Sequence, residues 1–206
     1  MTIEEKKERV IELEWQFFQQ VQNEGGRAAC QNDAPTFFLM RRSQFAPWPE
    51  ALVDSYLQDL EDAARQGRNP LAEKYAWMMA HTAPDAFARL RDQLPTLSDE
   101  ARDDIRQIVA IHLQWMADYH KKYPHLAATN RAATSAEDTA VDTSFETYLE
   151  GELKTYSLRT LRLYLEFMHD LQRQGQNLAL LTMETTVKGY GYASLDDAEQ
   201  RLAQRG

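Results

Sequence analysis

No stretch of these 206 residues alternates apolar and polar side chains as a half-buried strand must. Apolar residues instead recur three and four apart along nearly the whole chain, the spacing that gathers them on one face of a helix. That periodicity predicts an all-α protein, an irregular bundle of about nine helices in one domain spanning 1–206. At this length, roughly 70% of the unfolded surface can be buried.

Glycine, proline and capping residues divide the pattern. A first helix is expected from Ile3 to about Glu24, with Ile11, Trp15, Phe18 and Val21 on one side and Gly25-Gly26 as a left-handed exit. Thr36 to Phe45 reads as a short helix ending before Pro47-Trp48-Pro49. Pro49 opens the next, whose stripe is Val53, Tyr56, Leu57, Leu60 and Ala64. Gly67-Arg68-Asn69-Pro70 then reads as helix stop, N-cap and first-turn proline, and Gly175-Gln176-Asn177 repeats its first steps. Helices are expected from Leu71 to His81 and from Pro84 to near Pro95. The longest, capped by Ser98, runs to Tyr123, where Pro124 stops it. Residues 125–142 have no period and read as a surface loop. The spacing of Thr143 and Glu146 predicts a capping box for the next helix. Further helices cover Leu158 to Gln174 and Leu178 to Lys188, and Ser194 caps a last one beyond Gly189-Tyr-Gly-Tyr192.

The formal charge is −9, and no cluster of Lys and Arg interleaved with aromatics is present, which argues against nucleic acid as a partner. No run reaches the ~20 apolar residues of a membrane span. The N-terminal residues are too charged for a secretory signal, so the cytoplasm is the expected compartment. Cys30, the single cysteine, makes neither an intrachain disulfide nor a zinc site by itself, and its alanine neighbours suggest a small buried residue.

Three polar residues interrupt apolar stripes: Glu14 in the first helix, His112 in the longest and Glu152 between Leu149, Leu153 and Tyr156. A carboxylate in such a place must find a cation, a donor or a metal, because burying it unpaired costs several kcal/mol. Two readings follow. Glu14, His112 and Glu152 can form a metal-binding or acid–base site, with Glu152 as ligand or base. The preferred alternative pairs them with Arg27, Arg41, Lys74 or tyrosine hydroxyls, with no ligand involved. Glu166 and His169 give a Glu-x-x-His pair, but a di-metal bundle needs two such pairs. Neither a cofactor nor a particular metal is specified by these residues.

Arg27, Gln31, Arg41, Arg42 and Gln44 crowd the irregular region after the first helix, and arginine's forked donors suit carboxylate or phosphate. Hence the expectation of a small acidic ligand held near Arg27, Gln31 and Arg41, with Trp48 and Tyr190 at its flanks. An enzyme based on Glu14, His112 and Glu152 is the alternative function, and a purely structural or interaction protein is a third.

Gly25-Gly-Arg-Ala-Ala-Cys-Gln31, Met40-Arg-Arg-Ser-Gln-Phe45, Glu73-Lys-Tyr-Ala76, Thr143-Ser-Phe-Glu-Thr-Tyr148, Gly151-Glu-Leu-Lys-Thr-Tyr-Ser157 and Tyr190-Gly-Tyr-Ala-Ser-Leu195 stand in order along the chain. With these motifs the sequence resembles the bacterial family catalogued as domain of unknown function 4125, over nearly its whole length. The resemblance implies one bacterial, cytoplasmic domain, and it transfers no catalytic residue.

Overall fold

The computed structural model describes residues 1–22, 26–139 and 142–204. Among them it contains eleven α-helices, three short 3-10 turns and no strand. The α-helices are α1 (Ile3–Gln20), α2 (Ala34–Phe45), α3 (Glu50–Arg65), α4 (Pro70–Thr82), α5 (Pro84–Leu90), α6 (Asp99–Lys122), α7 (Pro124–Ala127), α8 (Phe145–Leu153), α9 (Leu158–Arg173), α10 (Leu178–Gly189) and α11 (Leu195–Ala203). The all-α expectation holds. The expected count of about nine is close, and two of the eleven, α5 and α7, are shorter than eight residues.

One core runs through the bundle. α1 packs on α2, α3 and α4; α3 also packs on α9, α9 on α6, and α6 on α8 and α10; α4 faces α8, and α10 returns to α2. Each long helix contributes the stripe its sequence displays, including Val10, Ile11 and Phe18 of α1, Leu52, Tyr56 and Leu60 of α3, Ile108 and Tyr119 of α6, and Leu161 and Met168 of α9.

The two Gly-x-Asn corners are alike in structure as in sequence. Gly67 (φ 68°) and Gly175 (φ 66°) take the left-handed turn that ends α3 and α9. The following residues close the turns: Arg68 N–H donates to Ala63 O at 2.9 Å and Gln176 N–H to Leu171 O at 2.8 Å. Asn69 and Asn177 cap α4 and α10, and each side-chain amide also donates to another helix, to Phe17 O at 2.9 Å and to Trp115 O at 3.1 Å. Each corner therefore fixes both a helix start and its docking.

Three local expectations change. The first helix stops at Gln20, short of Glu24, because the buried Gln31 amide donates to the carbonyls of Phe18 (2.8 Å) and Val21 (3.0 Å) where further helical turns would have donated. The expected ends at Glu24 and Gly25 lie outside the described residues. The cap of α8 is Ser144, not Thr143: its hydroxyl accepts from Thr147 N–H at 3.2 Å, while Glu146 accepts from Ser135 N–H at 2.7 Å. Cys30 is exposed rather than buried, since the 3-10 turn Ala29–Asn32 turns Gln31 inward in its place.

The described part of 125–142 contains α7 and a 3-10 turn, Ser135–Glu137. Phe145 N–H donates to Ala132 O at 2.8 Å, and the Asp138 carboxylate accepts from Ser144 N–H at 2.5 Å and from the Thr147 hydroxyl, tying this segment to the start of α8. Residues 140 and 141 of the expected loop lie outside the described residues. No described helix is long and apolar enough to cross a membrane.

Candidate functional site

Charged residues from four helices meet inside the bundle. Glu14 of α1, Arg41 of α2, Lys74 of α4 and Glu152 of α8 are all buried, with Glu14 at 0% and Lys74 at 1% exposure. Helical periodicity delivers each one. Arg41 follows Phe37 and precedes Phe45 at intervals of four, and Lys74 lies between Leu71 and Met78, so both long cations project from apolar faces. Gly151 permits the approach of α8 to α4, because a Cβ there would lie 2.9 Å from Met78 Cγ and 3.0 Å from the Lys74 carbonyl oxygen.

Glu152 is the better satisfied carboxylate. Its Oε2 is 2.5 Å from Lys74 Nζ and 3.2 Å from Arg41 Nη1, and its Oε1 accepts from Gln44 Nε2 at 2.6 Å and from the Tyr156 hydroxyl at 3.1 Å. Burial would raise its pKa, but Arg41, Lys74 and the donated hydrogen bonds outweigh that and hold it well below the ordinary value of 4.5. Glu14 is treated differently. Its Oε1 accepts from the Tyr56 hydroxyl at 2.7 Å, while its Oε2 lies 3.0 Å from Arg41 Nε without that N–H aimed at it, leaving this oxygen with no aligned donor. Burial, aided by repulsion from Glu152, raises the Glu14 pKa despite the nearby Arg41. The Lys74 ammonium also rests 3.3 Å from the centre of the Tyr148 ring.

His112 is buried in the same core but makes no hydrogen bond or ion pair with either carboxylate among the described residues. Its Nε2 is 2.8 Å from the Tyr164 hydroxyl, and Trp115, Phe145 and Tyr164 surround the ring. Burial lowers its pKa to about 4, which keeps it neutral near pH 7. Of the three interrupting residues, the fold thus joins Glu14 and Glu152 through Arg41 and leaves His112 in a separate hydrogen bond. Among the described residues no three His, Cys, Asp or Glu side chains gather as a metal ion would require.

Of the residues expected around an acidic ligand, Arg27 and Gln31 are joined by a hydrogen bond, while Arg41, Trp48 and Tyr190 stand in other surroundings. Arg41 faces Glu14 and Glu152. Gln31 is buried against the end of α1. Arg27 is exposed and donates to Asn32 Oδ1 at 2.8 Å, to Gln31 O at 2.8 Å and to the Gln19 side chain. Trp48 belongs to an aromatic cluster with Phe45, Tyr56, Tyr156 and Tyr164. Tyr190 is 55% exposed at the end of α10. An open groove of about 530 Å³ beside Gln19, Gln22 and Gly26 includes Arg27 and none of the other four.

A more enclosed cleft of about 360 Å³ opens between the second half of α3, residues 95–98 and the α8–α9 junction. Tyr56 and Tyr156, the two tyrosines whose hydroxyls bond Glu14 and Glu152, line it. Asp59, Asp62, Arg68 and Lys154 supply charge at its walls. Periodicity does not announce this cleft, because its walls come from helix ends and a connection. Tyr56 is legible only as a core residue, and Asp59 only as a polar residue beside the α3 stripe.

Comparison with known proteins adds a family and no activity. No curated protein and no solved structure matches the chain. A family model described as a protein of unknown function (DUF4125) matches residues 4–200, and the chain belongs to that family.

Proposed function

We propose that this protein is a ligand-binding helical domain that takes a small polar molecule into the cleft between α3 and the α8–α9 junction. The observation that carries this reading is that Tyr56 and Tyr156 line the cleft while their hydroxyls are anchored on the buried carboxylates Glu14 and Glu152. The ion cluster then fixes the floor of the site, and the volume of about 360 Å³ suits a small metabolite. Arg41 does not serve as the ligand's cation in this reading, since its charge is committed to Glu14 and Glu152. The net charge of −9 disfavours nucleic acid as the ligand. The exposed thiol of Cys30 suits a reducing compartment such as the cytoplasm.

Thermal unfolding in the presence of a library of polar metabolites tests the reading, with Thr96→Trp as the blocking variant. Thr96 is exposed in the connection before α6 and lines the cleft, so a large side chain there fills the site without entering a helix. A ligand that raises the Tm of the wild type and not of the variant supports cleft binding. No stabilising compound, or stabilisation that survives the substitution, overturns it.

A second reading, acid–base catalysis, is favoured by one feature: the pKa values of Glu14 and Glu152 are pushed apart, as the two partners of such chemistry require. Tyr56 would connect Glu14 to the cleft. If a ligand found in the screen is chemically converted, and Tyr56→Phe abolishes conversion while retaining binding, this reading replaces simple binding.

A further inference from the structure

We infer that the cleft selects a primary ammonium group, received by Asp59 against the rings of Tyr56 and Tyr156. The inference rests on the cleft being the binding site and goes further by assigning the chemical class of the ligand.

Charge at the cleft wall is unevenly satisfied. Arg68 is held by Glu73 through two hydrogen bonds, Nε to Oε1 at 2.8 Å and Nη2 to Oε2 at 2.7 Å. Lys154 Nζ is 2.7 Å from Glu150 Oε1. Asp62 pairs with Arg65 and accepts from Gln58 Nε2 at 2.8 Å. Asp59 alone among these four has no counter-ion within ion-pairing distance among the described residues; the Ser157 backbone N–H donates to its Oδ2 at 3.0 Å. A half-buried carboxylate held in place by one backbone donor, with its remaining lone pairs unclaimed by any cation, favours a ligand carrying positive charge.

The aromatic wall points to the same chemistry. Tyr56 and Tyr156 pack with their centroids 4.6 Å apart and their planes tilted by 45°, and both donate their hydroxyl protons to carboxylates. Donation to a carboxylate enriches the ring in electron density, which strengthens attraction to a cation near its face. An anionic ligand would find the opposite: the cleft's arginine and lysine are already neutralised, and Asp59 would repel it.

Titrations followed by 1H–15N correlation spectra test the assignment, using n-butylammonium chloride, sodium butyrate and n-butanol as probes of equal chain length and different charge. The Ser157 amide, bonded to Asp59, is the direct reporter. Butylammonium is expected to shift the Ser157 and Asp59 amides saturably, with butyrate and butanol leaving them in place. Asp59→Asn should weaken butylammonium binding about tenfold or more, because its amide oxygen can still accept from Ser157 but carries no charge. Asp62→Asn, the same change on a carboxylate of the same cleft, should leave binding within about twofold. If Asp62→Asn weakens binding as much as Asp59→Asn, general acidity and not Asp59 is responsible, and the assignment is overturned. If butyrate or butanol shifts the cleft amides as strongly as butylammonium, the cleft binds ligands but the ammonium assignment is wrong. If none of the probes moves a cleft amide, the assignment falls, and the Thr96→Trp screen decides cleft binding on its own.

Discussion

Glu14 on α1 and Glu152 on α8 flank a single guanidinium, that of Arg41 on α2, with Nε 3.0 Å from the first and Nη1 3.2 Å from the second. The shared cation does not make them equivalent. Glu152 also collects Lys74, Gln44 and Tyr156, whereas Glu14 has the Tyr56 hydroxyl as its aligned donor. One carboxyl is therefore held ionised and the other is biased toward keeping its proton, and this asymmetry governs how the core responds to substitution and to pH.

Replacing Glu152 by Gln leaves Lys74 buried without a carboxylate in contact and leaves Arg41 facing Glu14 alone. The expected loss of stability is about 3 to 5 kcal/mol, read as a shift of the urea midpoint at unchanged m-value. Glu14→Gln should cost less, because glutamine can still accept from Tyr56 and the expense of burying that charge disappears. Equal losses for the two variants would contradict the asymmetry.

The two carboxyls should also act oppositely on stability as pH changes. The folded-state pKa of Glu14 lies above its ordinary value of 4.5. Its contribution is thus fully present below 4.5 and is lost as pH rises through the folded value. For Glu152 the folded value lies below 4.5, so its contribution is present above 4.5 and is lost as pH falls below it. Urea midpoints measured from pH 4 to 8 should show Glu14→Gln gaining on the wild type as pH rises, with the loss in Glu152→Gln shrinking toward the acid end. Curves that run parallel to the wild type would contradict both shifts.

His112, neutral in its bond to Tyr164, should not titrate above about pH 5 in NMR spectra of its ring protons. Unfolded, it takes a proton near 6.5; folded, only near 4. Stability present above 6.5 is lost as pH falls toward 4, up to about 3 kcal/mol. A ring titration near neutral pH would mean that the site admits water.

Gly151→Ala tests the contact between α8 and α4. The new methyl would meet the Lys74 carbonyl oxygen at 3.0 Å, and backbone moves less readily than a side chain. Overpacking of this kind costs about 1 to 3 kcal/mol, visible as a lower Tm. An unchanged or higher Tm would show that α8 can shift without disturbing Lys74.

Helix periodicity and punctuation determined the all-α fold, the corners at Gly67 and Gly175, and the positions of Glu14, His112 and Glu152 within apolar stripes, because these depend on residues a few places apart in the chain. The partners of those residues were not determined in this way. A helical face records that Arg41 and Lys74 point inward; it does not record which helix stands opposite, and only the docking of α1, α2, α4 and α8 decides that Arg41 meets two glutamates. The same holds where a distant side chain overrides a local signal, as when Gln31 ends α1 early or Asp138 fixes the start of α8 one residue late. The cleft lies furthest from the sequence, since its walls are helix ends and a connection whose nearness is a product of packing. Asp59 joins this cleft only when packing sets the Ser157 N–H against it and brings Tyr56 and Tyr156 to the same walls.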